Sequence, residues 1–243
     1  MFLISGLGNP GPRYARTRHN VGYEVIEHLH QRLNFPAFRS FKKGAVSRGA
    51  IGEHDVVLHR PSTFMNLSGE SVAPTARYYR IPPERVLVVH DELDFDPGMV
   101  RIKSGGGAGG NNGLRSIIQH FDPGFIRVRV GVGKPPSGRE GADHVLSAFH
   151  PDERPLIDEA IVVAGEALEA IVRHGSFAQA AKHLNKTQSA VSYAIAQFEE
   201  ALGVACFDRS GHRARLTDAG RLILEEARGV LAGARRIDGL AHQ

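Results

Sequence analysis

Val86-Leu87-Val88-Val89-His90-Asp91-Glu92 is an apolar run that ends abruptly in three titratable residues. An unbroken β-branched run without a polar face suits a strand covered on both sides, at the centre of a sheet rather than at its edge. Around it, short β-rich runs at Phe2–Ser5, Ala45–Ile51, Asp55–His59, Val100–Lys103 and Ile126–Val132 alternate with amphipathic stretches at Asn20–Leu33, Ser68–Tyr79 and Gly113–Phe121. In the first of these stretches Val21, Val25, Ile26, Leu29 and Leu33 fall on one helical face. The alternation predicts an α/β fold, a mixed sheet flanked by helices. After Asp152 the strand signals stop, and the chain reads as helix, turn, helix.

The 243 residues allow one large domain or two smaller ones, each able to bury a core. A single cysteine, Cys206, excludes an internal disulfide and a cysteine-based zinc site, which fits a reducing, cytoplasmic setting. No run approaches the roughly 18–20 apolar residues of a membrane span, and Met1 leads straight into Phe2-Leu3-Ile4 without a basic leader. Neither a membrane partner nor a processed leader is expected. With 30 Lys and Arg against 26 Asp and Glu, the net charge of +4 leans mildly toward anionic partners without a polybasic signature.

Gly6-Leu7-Gly8-Asn9-Pro10-Gly11 satisfies the G-x-G-x-x-G pattern after a strand, yet a dinucleotide site is not expected. Pro10 and Pro12 remove donors where a helix should offer them, and no acidic residue ends a second strand about 20 residues on. Polar loops nevertheless gather where strands end: Asn9, Thr17-Arg18-His19-Asn20, Phe64-Met65-Asn66 and His90-Asp91-Glu92. That edge of an open α/β sheet is where sites form. His19 and Asp91 suit a base held by a carboxylate, which fixes the imidazole tautomer. The sequence offers no G-x-S-x-G elbow and no H-E-x-x-H metal motif, so the base is expected to act on water, with no cofactor and no metal.

These segments, with Tyr14, Thr63-Phe64-Met65-Asn66-Leu67-Ser68-Gly69, His90-Asp91-Glu92-Leu93-Asp94 and Gly105 through Leu114, resemble bacterial-type peptidyl-tRNA hydrolase in order and spacing over residues 1 to about 185. The resemblance implies an esterase that releases peptide from tRNA, with peptidyl-tRNA as partner and a monomeric hydrolase part. It implies His19 as general base for water, Asp91 as its support, and Asn9, Asn66 and Asn112 as ligands of the peptide main chain or the water. Asn9 would also discriminate blocked from free aminoacyl groups. Tyr14, Phe64 and Met65 would line the cleft, and Lys103 and Arg129 would hold a tRNA phosphate. Read as residues alone, Asn66 and Asn112 are also helix N-cap candidates, and Lys103 and Arg129 solvated strand residues. Many members carry histidine where this chain has Asn111, so weaker substrate engagement is expected, and Asn111→His is expected to alter catalytic efficiency.

From Gly175, Phe177, Ala180, Ala181 and Leu184 form one apolar face and Val191, Ile195, Phe198 and Leu202 another across a short turn, which describes a helix-turn-helix. Thr187, Gln188, Ser189, Ser192 and Tyr193 would project from the second helix toward DNA. The stretch from about 165 to 243 resembles the winged DNA-binding domain of LysR-type transcriptional regulators, with Arg213 and Arg215 in a basic wing. Ile223, Ala227, Val230, Ala234 and Ile237 continue as a seam like that family's dimerising linker helix. Double-stranded DNA is the partner this module would take. Two domains are expected: 1–174, hydrolase-like with a last helix reaching toward 185, and 175–243, the winged helix-turn-helix and linker. The competing reading is a LysR-type regulator whose hydrolase-like part is passive.

Overall fold

A computed structural model of the chain describes residues 1–138, 140–175, 199, 202–208, 215–224 and 226, the side chains of Phe207 and Arg215 excepted. The chain divides into two compact units, Met1–Asn185 and Lys186–Gln243. The first contains strands β1 (Phe2–Gly6), β2 (Arg39–Phe41), β3 (Gly44–Ile51), β4 (His54–Pro61), β5 (Val86–Glu92), β6 (Val100–Ser104) and β7 (Ile126–Gly131). Its helices are α1 (Val21–Arg32), α2 (Gly69–Tyr78), α3 (Asn112–His120), α4 (Gly141–Val145) and α5 (Arg154–His174). The strand order is β2-β3-β4-β1-β5-β7-β6. The inner pairs β4/β1, β1/β5 and β5/β7 are parallel, whereas β2, β3 and β6 join antiparallel at the two edges. The sheet is therefore mixed, as the alternation of runs implies.

Strand alternation divides the core into two layers. Ile4, Leu58, Leu87, Val89, Val128 and Val130 face α1 and α5, while Leu3, Val57, Val86 and Val88 face α2 and α3. Val86 through Val89 are fully buried, as a central strand requires. α1 begins at Val21, after two single-turn 3-10 segments at Pro12–Tyr14 and Arg18–Asn20. The glycine motif thus opens into an irregular loop, and the feature that distinguishes a dinucleotide site is absent there.

His59 lies wholly inside, with Nδ1 3.0 Å from Ser5 Oγ and Nε2 2.9 Å from Ser71 Oγ. Burial pushes its imidazole down from 6.5 to about 3. The folded protein therefore binds this proton less readily than the unfolded chain, so stability fully present above pH 6.5 is lost as pH falls toward 3. Unfolding free energy from denaturant titration is expected to lose up to about 1.4 kcal/mol per pH unit through this residue, and His59→Asn to show a correspondingly shallower pH dependence.

In the second unit β8 (Phe207–Asp208) pairs antiparallel with β9 (Arg215–Leu216). Cys206 is buried, where a free thiol packs as a small apolar side chain, and its carbonyl accepts from Thr217 N at 3.0 Å. Thr187, Gln188, Ser189, Ser192, Tyr193 and Arg213 lie outside the described residues, as do Ala227, Val230, Ala234 and Ile237 of the seam. Arg215 is described only as backbone in β9. Among the described residues no helix is long and apolar enough to cross a membrane.

Candidate active site

The carboxyl ends of β1, β4 and β5 open into a cleft of about 580 Å³. His19 enters it from the 3-10 turn Arg18–Asn20, which Arg18 secures by donating to Ser147 Oγ and the Ala148 carbonyl and by pairing with Glu153. His19 Nδ1 stands 2.8 Å from Asp91 Oδ2, with the two side chains 13% and 3% exposed. A carboxylate accepts only from a protonated Nδ1, so the neutral ring carries its free lone pair on Nε2. That lone pair is the group able to take a proton from a water in the cleft. His90, the residue before Asp91, is buried, with Nδ1 2.8 Å from the Asp91 carbonyl; burial lowers its pKa, against the opposing pull of Asp91.

Asn9 is clamped at the end of the β1 loop. Asn20 Oδ1 accepts from Asn9 N at 2.8 Å and Asn20 Nδ2 donates to Asn9 O at 3.0 Å, while Asn9 Oδ1 accepts from Met65 N at 2.8 Å. With Oδ1 engaged, the Nδ2 amide is the part of Asn9 left to meet a ligand. Phe64, Met65, Asn66 and Asn112 complete the expected walls. Tyr14 stands behind them, its ring edge-to-face with Phe64 at 6.2 Å, so it supports the wall without lining it. The N-cap assignments are corrected. Asn111, not Asn112, caps α3, and Asn66 sits inside the 3-10 turn Met65–Leu67. Asn112 Oδ1 instead accepts from Arg115 at 2.9 Å.

Lys103 and Arg129 do not line the cleft. Lys103 is exposed on β6, whereas Arg129 is bound to Glu92 at 2.9 Å and lies over the Phe95 ring. Sequence reasoning missed the wall supplied by α4 and the residue that follows it, where Gly141, Ala142, Val145 and Leu146 line the same cleft. It also missed Arg127, a buried guanidinium that donates to the carbonyls of Gly106 and Gly107 and lies over Phe125. Burial, and then the charge of Arg129, lower its pKa.

A family model described as peptidyl-tRNA hydrolase matches residues 3–192. The chain belongs to the peptidyl-tRNA hydrolase family. The hydrolase of Acinetobacter baylyi is 46% identical over 188 residues, which are 75% of this chain and 95% of that one. That of Moorella thermoacetica is 40% identical over 186 residues, covering 76% and 98%. The crystal structure of peptidyl-tRNA hydrolase from Acinetobacter baumannii superposes with a TM-score of 0.72 at 43% identity, covering 76% of this chain and 94% of that chain.

A second family model, described as a bacterial regulatory helix-turn-helix protein of the lysR family, matches residues 164–221 and so overlaps the first. The described part of the overlap is the end of α5, where Ala167, Leu168, Ile171 and Val172 are buried in the hydrolase core. In this hydrolase Arg127 anchors the glycine-rich loop that leads to Asn111 and Asn112. Arg127→Met removes a buried charge together with its bonds to the Gly106 and Gly107 carbonyls, a loss of stability of about 1–3 kcal/mol. Released from its anchor, the loop is expected to lower kcat/KM for peptidyl-tRNA about tenfold, measured by steady-state kinetics beside a thermal melt.

Proposed function

We propose that His19 Nε2 removes a proton from water as the water oxygen attacks the carbonyl carbon of the ester joining the peptide to the terminal ribose of tRNA. The carbonyl π pair moves to oxygen, then returns as the bond to the ribose oxygen breaks. The leaving ribose oxygen takes the proton from His19, giving tRNA with a free hydroxyl, and the peptide carboxylic acid, which keeps the water's second proton, gives that proton up to solvent as a carboxylate. Asp91 stabilises the imidazolium formed in between. The observation that carries this reading is the 2.8 Å contact from His19 Nδ1 to a buried carboxylate at the wall of the cleft.

Asn9, Asn66 and Asn112 supply amide donors and acceptors to the peptide main chain without reading its side chains. Phe64 and Met65, backed by Tyr14, give the apolar floor. Lys103, exposed on β6, would meet a tRNA phosphate, and Arg129 would join it only by sharing its charge with Glu92. The domains behind this reading are a catalytic part over 1–174, its last helix extending toward 185, and an appended part over 175–243. The test is the release of tRNA from N-acetyl-aminoacyl-tRNA, expected to be rapid, beside free aminoacyl-tRNA, expected to be spared. Asn9→Ala is expected to narrow that difference, and equal rates on both esters with the wild type would overturn the discrimination.

A second activity rests on the match of residues 164–221 to the lysR-type model and on the antiparallel pairing of β8 with β9, where β9 contains Arg215 of the expected wing. In this reading the appended part binds duplex DNA through Gln188 and its neighbours, with Arg213 and Arg215 at the backbone. Retardation of a preferred duplex, relaxed by Gln188→Ala, supports it. Binding that varies with salt alone, and not with sequence, contradicts it.

A further inference from the structure

Asn111 joins two structures that the reaction needs together. Its Oδ1 accepts from Leu114 N at 3.1 Å and closes the start of α3, while its Nδ2 donates to Asp91 Oδ1 at 3.1 Å. The other oxygen of the same carboxylate, Oδ2, holds His19 Nδ1. The cap fixes which end of the amide faces α3, so the NH₂ end must face Asp91. A carboxylate with one partner can still turn about its last torsion; with both oxygens engaged it cannot.

We propose that Asn111 is a positioning residue for hydrolysis, locking Asp91 to the N-terminus of α3 so that His19 is presented with Nε2 toward the water. This rests on His19 being the base. An amide does this without titrating, and its donor favours the ionised carboxylate without adding a charge that would offset it. The other charged groups on the surrounding elements are mostly engaged elsewhere. On β5, Glu92 is paired with Arg129 and His90 meets the Asp91 backbone; in the 3-10 turn, Arg18 is bound to Glu153. Arg115 of α3 donates to Asn112, Glu24 of α1 is paired with Arg154, and α4 brings Asp143 and His144, the latter on the Gly133 carbonyl. The Asp91–His19 pair and its amide are thus the direct contacts that set the base.

The experiment is the pH profile of kcat/KM on N-acetyl-aminoacyl-tRNA for the full-length wild type, Asn111→Asp and Asn111→Ser, each with a thermal melt. Asn111→Asp keeps the shape and the cap but sets a second carboxylate against Asp91. The repulsion holds a proton on the site to higher pH, so the ascending limb is expected to move up by about 1 pH unit or more, with little change in Tm. Asn111→Ser keeps a cap and loses the bridge, so kcat is expected to fall about tenfold with KM nearly unchanged. Wild-type profiles and kcat in both variants overturn the proposal, and so does a loss of activity that only follows a loss of Tm. If His19→Ala, run alongside, matches the wild type, the base itself is wrong and the proposal falls with it, an outcome distinct from either Asn111 result.

Discussion

His19→Ala is expected to lower kcat on N-blocked aminoacyl-tRNA by about 10³-fold while leaving KM within a few-fold. The asymmetry follows from the division of labour in the cleft. Asn9, Phe64, Met65, Asn66 and Asn112 line it independently of the imidazole, so ground-state binding survives. What disappears is the only imidazole whose Nδ1 is held by a buried carboxylate among the described lining residues. The variant also leaves Asp91 buried with Asn111 as its remaining side-chain partner, which is expected to destabilise the fold by about 1–3 kcal/mol. Single-turnover kinetics at saturating enzyme separate the chemical step from that loss. A comparable fall in KM-controlled binding, with kcat intact, would assign His19 to substrate recognition.

Gly6→Ala is expected to be strongly destabilising. A Cβ there would stand 2.1 Å from the Gly22 carbonyl oxygen and 2.5 Å from Ile26 Cγ1. The first contact is backbone, so rotamer changes cannot relieve it, and α1 must move off β1. The reciprocal Cβ on Gly22 would meet the Leu7 carbonyl at 2.5 Å, so the crossing is tight from both sides. Overpacking of this kind costs about 3 kcal/mol or more, which for a chain of this size lowers Tm by about 10 °C. Because α1 begins two residues after His19, displacement of the helix also misplaces the base. A thermal melt paired with kcat on the folded fraction checks both effects; a Tm within about 2 °C of wild type would show that the crossing tolerates a methyl group.

The elements with a strong period were legible before any coordinates. The apolar run at Val86–Val89 marks the covered strand, and Val21, Val25, Ile26 and Leu29 mark the buried face of α1. Two elements escaped for physical reasons. β2 is three residues on a sheet edge, too short to show alternation, and α4 is five residues with a single turn's worth of pattern. The gathering of His19, Asp91, Asn9 and Asn66 in one cleft was also legible, from polar loops expected at one edge of the sheet, whereas Asn112 came only from the resemblance to the family. The roles of adjacent asparagines were not legible. Asn111 and Asn112 both precede a helix, and one residue of phase decides which amide caps it and which faces Arg115. Likewise Arg127 and Arg129 share one face of β7, and sequence does not tell which of the two reaches the glycine-rich loop and which reaches Glu92.

The claim at the centre of the mechanism is that His19 activates water and never becomes acylated. The direct measurement is the pre-steady-state time course of tRNA and peptide release from N-acetyl-aminoacyl-tRNA by the full-length enzyme. General-base attack by water predicts that both products appear in step, with no burst. A burst of free tRNA equal to the enzyme concentration, with the acyl group held on His19 and released later, would contradict it.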